Sequence, residues 1–179
     1  MIGLESGVVL LAPYENSWAR LYEKERARLQ EAVGDQVLDI QHVGSTAIPG
    51  IVAKPILDIA VAVRSFEAAF ACIEPIAALG YEYYGENGIP RRHYFVRRDP
   101  DSGQTIVHLH VNEVDGPDWE NQVVFRDYLL AHPEAAQAYV ALKQELAAQY
   151  PHDRDAYTEG KAPFITRILR LARGEVPSM

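Results

Sequence analysis

From Trp18 onward apolar residues recur at helical spacing: Trp18, Leu21, Tyr22, Leu29, Ala32 and Val33 share one face. Asn16 or Ser17 supplies an N-cap for this helix and Gly34 a stop. Ahead of it, residues 8–13 read as a short strand ended by Pro13. Behind it, "QVLDIQHVG" reads as a strand with Leu38, Ile40 and His42 on one side, and "PILDIAVAV" is apolar on both faces apart from Asp58. The second pattern is that of a central strand covered on both sides. A helix over 65–79 follows, distorted at Pro75. "YEYYG", "RRHYFVRR" and "QTIVHLHVNE" are further strands, divided by the turn-forming "ENGIP" and "DPDSG". Beyond Pro117 only helical spacing remains, in "PDWENQVVFRDYLLAH", "PEAAQAYVALKQELAAQY" and "DRDAYTEGKAPFITRILRLARG", the last carrying Pro163. This order predicts an α+β class: one domain, with an α/β body over about 1–115 and a helical part over about 116–174.

Composition changes that picture little, because 48% hydrophobic and 23% charged residues suit a folded chain with a sizeable core. The formal charge of −8 changes it more. It argues against nucleic acid and anionic membrane as partners and leaves room for a small basic pocket. One cysteine, Cys72, excludes an intramolecular disulfide and a cysteine-rich zinc site. The start "MIGLESGVVLLAP" lacks a basic leader pattern, and Lys54, Pro55 and Asp58 interrupt the longest apolar stretch. The expected location is the cytoplasm.

Candidate chemistry clusters in the middle of the chain. Gly44 lets backbone approach a ligand, and Ser45 offers a hydroxyl beside it, so a strand-to-helix corner here suits phosphate. The plain alternative is a Ser45 or Thr46 cap. Asp58 sits among Ile56, Leu57, Ile59 and Ala60, where an ionised carboxylate costs several kcal/mol unless paired or metal-bound. Its structural partner would be Lys54 or an arginine of "RRHYFVRR". His108 and His110 share one strand face and can grip a metal or a phosphate, with Glu113 in reserve. Arg91 and Arg92 follow the "ENGIP" turn and are placed to reach a pocket, whereas Arg97 and Arg98 read as solvated edge-strand residues. Lys161 can reach a ligand from the helical part.

The blocks "APYENSWARLYEKE", "QHVGSTAIPGIVAKPILDIAVAV", "HLHV", "FRDYLLAHPEAAQAYVALKQELA" and "AYTEGKAPFI" run in order over about 8–168. In them the chain resembles the GrpB family of the nucleotidyltransferase-fold superfamily. The resemblance implies a mixed β-sheet flanked by helices, with a Gly-Ser motif holding nucleotide phosphates and strand carboxylates binding magnesium. Gly44 and Ser45 match the motif and Asp58 the first carboxylate. Ala60 stands where the second acid is expected, and His110 replaces the late-strand acid. The implied cofactor is thus a divalent ion, magnesium or a softer one, on Asp58, His108 and His110.

The resulting expectation is a divergent nucleotidyltransferase acting on a nucleotide or phosphorylated small molecule. Asp58 and His110 would be catalytic, and Gly44, Ser45, Lys54, Arg91, Arg92 and Lys161 would hold phosphate. Its rivals are a non-catalytic nucleotide- or metabolite-binding accessory domain with a degraded metal site, and a metal-dependent phosphohydrolase. The family includes forms fused to a dephospho-coenzyme A kinase, but no residue here supports a tie to coenzyme A.

Overall fold

A computed structural model describes residues 2–175. Helix α1 (Ser17–Val33) leads into strand β1 (Val37–Val43), a single 3-10 turn (Ser45–Ala47) and strand β2 (Leu57–Val63). A 3-10 turn (Ala68–Cys72) and short helix α2 (Ile73–Ala78) precede strands β3 (Tyr81–Tyr83), β4 (Arg92–Arg98) and β5 (Thr105–Glu113). Helices α3 (Pro117–Ala131), α4 (Pro133–Gln149) and α5 (Arg154–Ala172) complete the order. The sheet runs β1-β2-β5-β4-β3, with β2 and β5 parallel and every other pair antiparallel. The α+β class and mixed sheet expected from the sequence are therefore present.

Residue alternation splits β2 and β5 into two faces. Leu57, Ile59 and Val61 with Val107, Leu109 and Val111 bury against Trp18, Leu29 and Ile76 of the α1 and α2 layer. Asp58, His108 and His110 take the other face, and α3 to α5 pack beyond it around Phe125, Leu129, Tyr139 and Ile168. Ion pairs and hydrogen bonds tie the layers. Arg126 of α3 donates to the His42 carbonyl at 2.7 Å. Glu25, buried within the apolar face of α1, accepts from Tyr81 Oη at 2.7 Å, Arg97 at 2.8 Å and Arg28 at 2.9 Å.

Four local expectations change. Residues 8–13 form no strand, only a bridge from Ala12 to Ala53. A bulge between Val37 and Asp39 lifts Leu38 out of the core-facing row, leaving it exposed. The 65–79 helix splits into a 3-10 turn and six residues of α-helix, with Pro75 near the start, where its missing N–H costs least. Strand β4 lies between β3 and β5, so Arg97 and Arg98 do not decorate an edge. Arg97 pairs with Glu25, and Arg98 with Glu82. Cys72 is buried.

The Glu25 network yields a control variant far from the cavity. Glu25→Leu removes one partner of a buried charge cluster and should cost about 2–4 kcal/mol, Arg97 being partly exposed. A urea-unfolding midpoint unchanged from wild type would show that the network contributes nothing.

Candidate functional site

A cavity of about 740 Å³ lies between the polar face of the sheet and the C-terminal helices. Its wall includes Gly44, Ser45, Lys54, Asp58, His108 and Lys161, which the sequence had singled out separately. Parallel pairing of β2 with β5 explains the meeting. Asp58 is registered with His108 and Ala60 with His110, so the carboxylate stands beside both imidazoles. His108 Nδ1 lies 3.1 Å from Asp58 Oδ1, and His110 Nε2 lies 3.6 Å from the same oxygen. The partner of Asp58 is thus the histidine pair and neither Lys54 nor an arginine.

Each ring is also engaged from behind. Arg154 reaches His108 Nε2 at 3.1 Å, and Arg92 reaches His110 Nδ1 at 3.3 Å. A guanidinium only donates, so each of these nitrogens carries a lone pair and the opposite nitrogen carries the proton facing Asp58. Burial would raise the Asp58 carboxyl, but hydrogen bonds from His108 and His110 hold it well below the usual range. Burial pushes His108 down, with Arg154 acting in the same direction, and both outweigh the upward pull of Asp58.

The Gly44–Ser45 turn is close-fitting. Gly44 has φ 69° and ψ −172°, and a Cβ there would lie 2.5 Å from Asp58 Oδ2. Glycine is required both for the backbone angle and for the approach. The helix whose N-terminus would favour an anion is not present. Only a three-residue 3-10 turn follows, capped by Ile48 and then interrupted by Pro49-Gly50. Ser45 Oγ instead accepts from Lys143 Nζ of α4 at 3.1 Å, and Lys143 also donates to the Val52 carbonyl.

Positive charge comes from side chains. Lys54 and Lys161 flank the Tyr157 ring, 5.3 and 4.7 Å from its centroid. Among the described residues neither of them, nor Arg154, forms an ion pair, and all three feel the field of one another. Burial, with neighbouring cations, lowers Lys54 to about 7 and Lys143 to about 7. Burial lowers Lys161 to about 8 even though Asp58 pulls it up.

Two of the expected residues are held by other partners. Arg91 points to the opposite face, paired with Glu113 at 2.7 Å and Glu67 at 3.2 Å, so Glu113 is not in reserve for the histidines. Arg92 is on the cavity side, but its guanidinium is held by the Glu86 and Asn87 carbonyls and by His110. Lys143 and Arg154 escaped the sequence reading. A lysine on the inner face of α4, in line with Ala136, Tyr139 and Leu146, was the available signal for Lys143. Arg154 opens a helix among exposed charges and carried none.

The donor set fits a hard divalent ion poorly. One carboxylate and two imidazoles are present, and the outward ring nitrogens are already given to arginines. Among the described residues no group of three or more His, Cys, Asp or Glu side chains is arranged to hold a metal ion.

The model of the GrpB protein family matches residues 8–171. The chain belongs to the GrpB family. Its relatives include the glutamate-rich protein GrpB of Alkalihalophilus pseudofirmus, 39% identical over 171 residues, covering 94% of this chain and 98% of that one. The protein YqkA of Bacillus subtilis is 41% identical over 152 residues, 85% of this chain, and the match spans 43% of the length of YqkA. The crystal structure of GrpB from Enterococcus faecalis superposes with a TM-score of 0.82 at 30% identity, covering 93% of this chain and 98% of that one. A structure of Cid1, titled for its RNA terminal uridylyl transferase activity, aligns at TM-score 0.50 and 12% identity over 74% of this chain and 39% of that one, a likeness of fold. The GrpB fold is therefore nucleotidyltransferase-like. Among the described residues no helix is long and apolar enough to cross a membrane.

Two expectations follow from this geometry. Gly44→Ala forces a strained φ and drives a methyl group into Asp58, which its hydrogen bonds hold in place, so it should cost about 1–3 kcal/mol. A melting temperature equal to wild type would contradict the close fit. The second concerns pH. Lys54, Lys143 and Lys161 are lowered from 10.5 in the fold, so between about pH 7 and 9.5 the unfolded chain binds more protons than the native one. Stability of the ligand-free protein should rise through that window, and a flat or falling profile in denaturant titrations would refute it.

Proposed function

We propose that this GrpB protein binds a nucleotide or another phosphorylated small molecule in the cavity, with its phosphates between Lys54, Lys161 and Arg154 beside the Gly44–Ser45 turn. One observation carries the reading. Three half-buried cations with no ion-pair partner among the described residues converge on one wall of the cavity, in a chain whose formal charge is −8. Unpaired charge drawn partly out of water is costly to a fold, and an anionic ligand relieves that cost. Tyr94 and Tyr157 add aromatic surface to the same wall. A formal charge of −8 disfavours a nucleic-acid partner, so a small ligand suits the pocket better than RNA.

Binding is the primary reading and nucleotidyl transfer the second. Transfer is favoured by the meeting of Asp58 with the phosphate-side turn, where it could orient an attacking hydroxyl. Against it, Asp58 is held well below the usual carboxylate range and is therefore a weak general base near neutral pH. That balance favours the accessory, ligand-binding form.

A thermal-shift screen against nucleoside triphosphates, inorganic pyrophosphate and coenzyme A precursors tests the proposal. A ligand at a hundredfold excess over its Kd should stabilise the protein by about 2.7 kcal/mol. Lys54→Ala/Lys161→Ala should abolish the shift while remaining folded. No shift with any phosphorylated compound would sink the reading. Pyrophosphate release that disappears in Asp58→Ala would move the assignment to transferase.

A further inference from the structure

The polar face of the sheet carries one more message, which rests on the phosphate-binding reading above. We infer that the cavity takes a polyphosphate ligand free of divalent metal, with Arg154 and Lys161 of α5 supplying the positive charge at the phosphates.

Three features of the site lead there. The first is the direction of the hydrogen bonds. Arg92 and Arg154 donate into the outward nitrogens of His110 and His108, so the lone pairs a metal would need are occupied, and the ring protons face Asp58. Turning either ring to a metal would leave an arginine without its acceptor and Asp58 without its donor.

The second is the state of Asp58 itself. Oδ1 faces the two imidazoles, and Oδ2 lies under the Gly44 backbone at a separation no side chain would tolerate. Hydrogen-bonded on one oxygen and crowded by backbone at the other, this carboxylate, with 32% of its side chain exposed, is a fixed part of the wall. Among the described residues no second acid stands beside it on β2, because Ala60 occupies the position registered with His110. The remaining wall carboxylates belong to other elements: Asp118 of α3 accepts from Gln122 Nε2 at 3.0 Å, and Asp155 is exposed near the start of α5.

The third is the supply of charge. Lys54, Arg154 and Lys161 converge without an ion-pair partner among the described residues and, once an anion keeps both lysines protonated, supply three positive charges, more than one phosphate monoester, at about two negative charges, would neutralise. A diphosphate or triphosphate matches it better. A magnesium ion on that ligand would cancel the charge the lysines and arginine are placed to meet, so the complexed form should bind more weakly than the free one.

Isothermal titration of the full chain with ATP and with inorganic pyrophosphate, in EDTA and in excess magnesium chloride, decides the matter. The expected result is binding severalfold tighter in EDTA than in magnesium. Asp58→Asn, which keeps an acceptor for the imidazoles, should bind as well as wild type or better. Lys161→Gln should weaken binding at least tenfold under both conditions, and melting curves establish that both variants are folded. Binding seen only with magnesium, or lost in folded Asp58→Asn, would overturn the metal-free site while leaving the phosphate-binding reading intact. Failure of both probes under every condition would overturn that underlying reading and this inference with it.

Discussion

The parallel pairing of β2 with β5 organises everything around the cavity. Strands 50 residues apart in the chain are locked side by side by ladder hydrogen bonds and by the apolar row of Leu57, Ile59 and Val61 against Val107, Leu109 and Val111. Period-2 alternation then leaves no choice for the residues between them. Asp58 must face the same side as His108 and His110. A slip of one residue would bury the carboxylate against Trp18 and Leu29 and expose Ile59 to the cavity, so the hydrophobic core enforces the polar site.

From that constraint the charge pattern follows. The sheet contributes a carboxylate that its own neighbours satisfy, and the cations come from outside the sheet, on the loop before β2 and on α4 and α5. A chain of formal charge −8 thereby gathers a local cluster of cationic side chains on one wall. Lys143 has a different part from its fellows. Bound to Ser45, to the Val52 carbonyl and over the Tyr139 ring, it works as a strut that fixes the 44–52 loop against α4.

Much of this was legible in the residues alone. Long periodic segments such as α1, α4 and β2 declared themselves, since their apolar spacing reflects one buried face each. Asp58 was conspicuous because an acid amid aliphatic residues demands a partner, and "HLH" because alternation aligns its two rings. The partners were not legible, because strand register and helix docking are long-range. Arg91 and Arg92 illustrate the difference: adjacent in the chain, they leave the sheet on opposite faces, and only one is near the cavity. The split of the 65–79 segment and the bulge at Leu38 were lost for a related reason, as tertiary packing overrode local propensity in both.

The contact between Lys143 and Ser45 spans 98 residues, and that between Arg154 and His108 spans 46. The sheet can assemble once β5 exists, but the cationic wall waits for α4 and α5. During synthesis, which proceeds from the N-terminus, Lys54 is in place early, but the cationic wall is complete only once the last helix has emerged and docked. On the proposed reading, a molecule without α5 would lack Arg154 and Lys161 and so could not hold the phosphates, however well its sheet had formed.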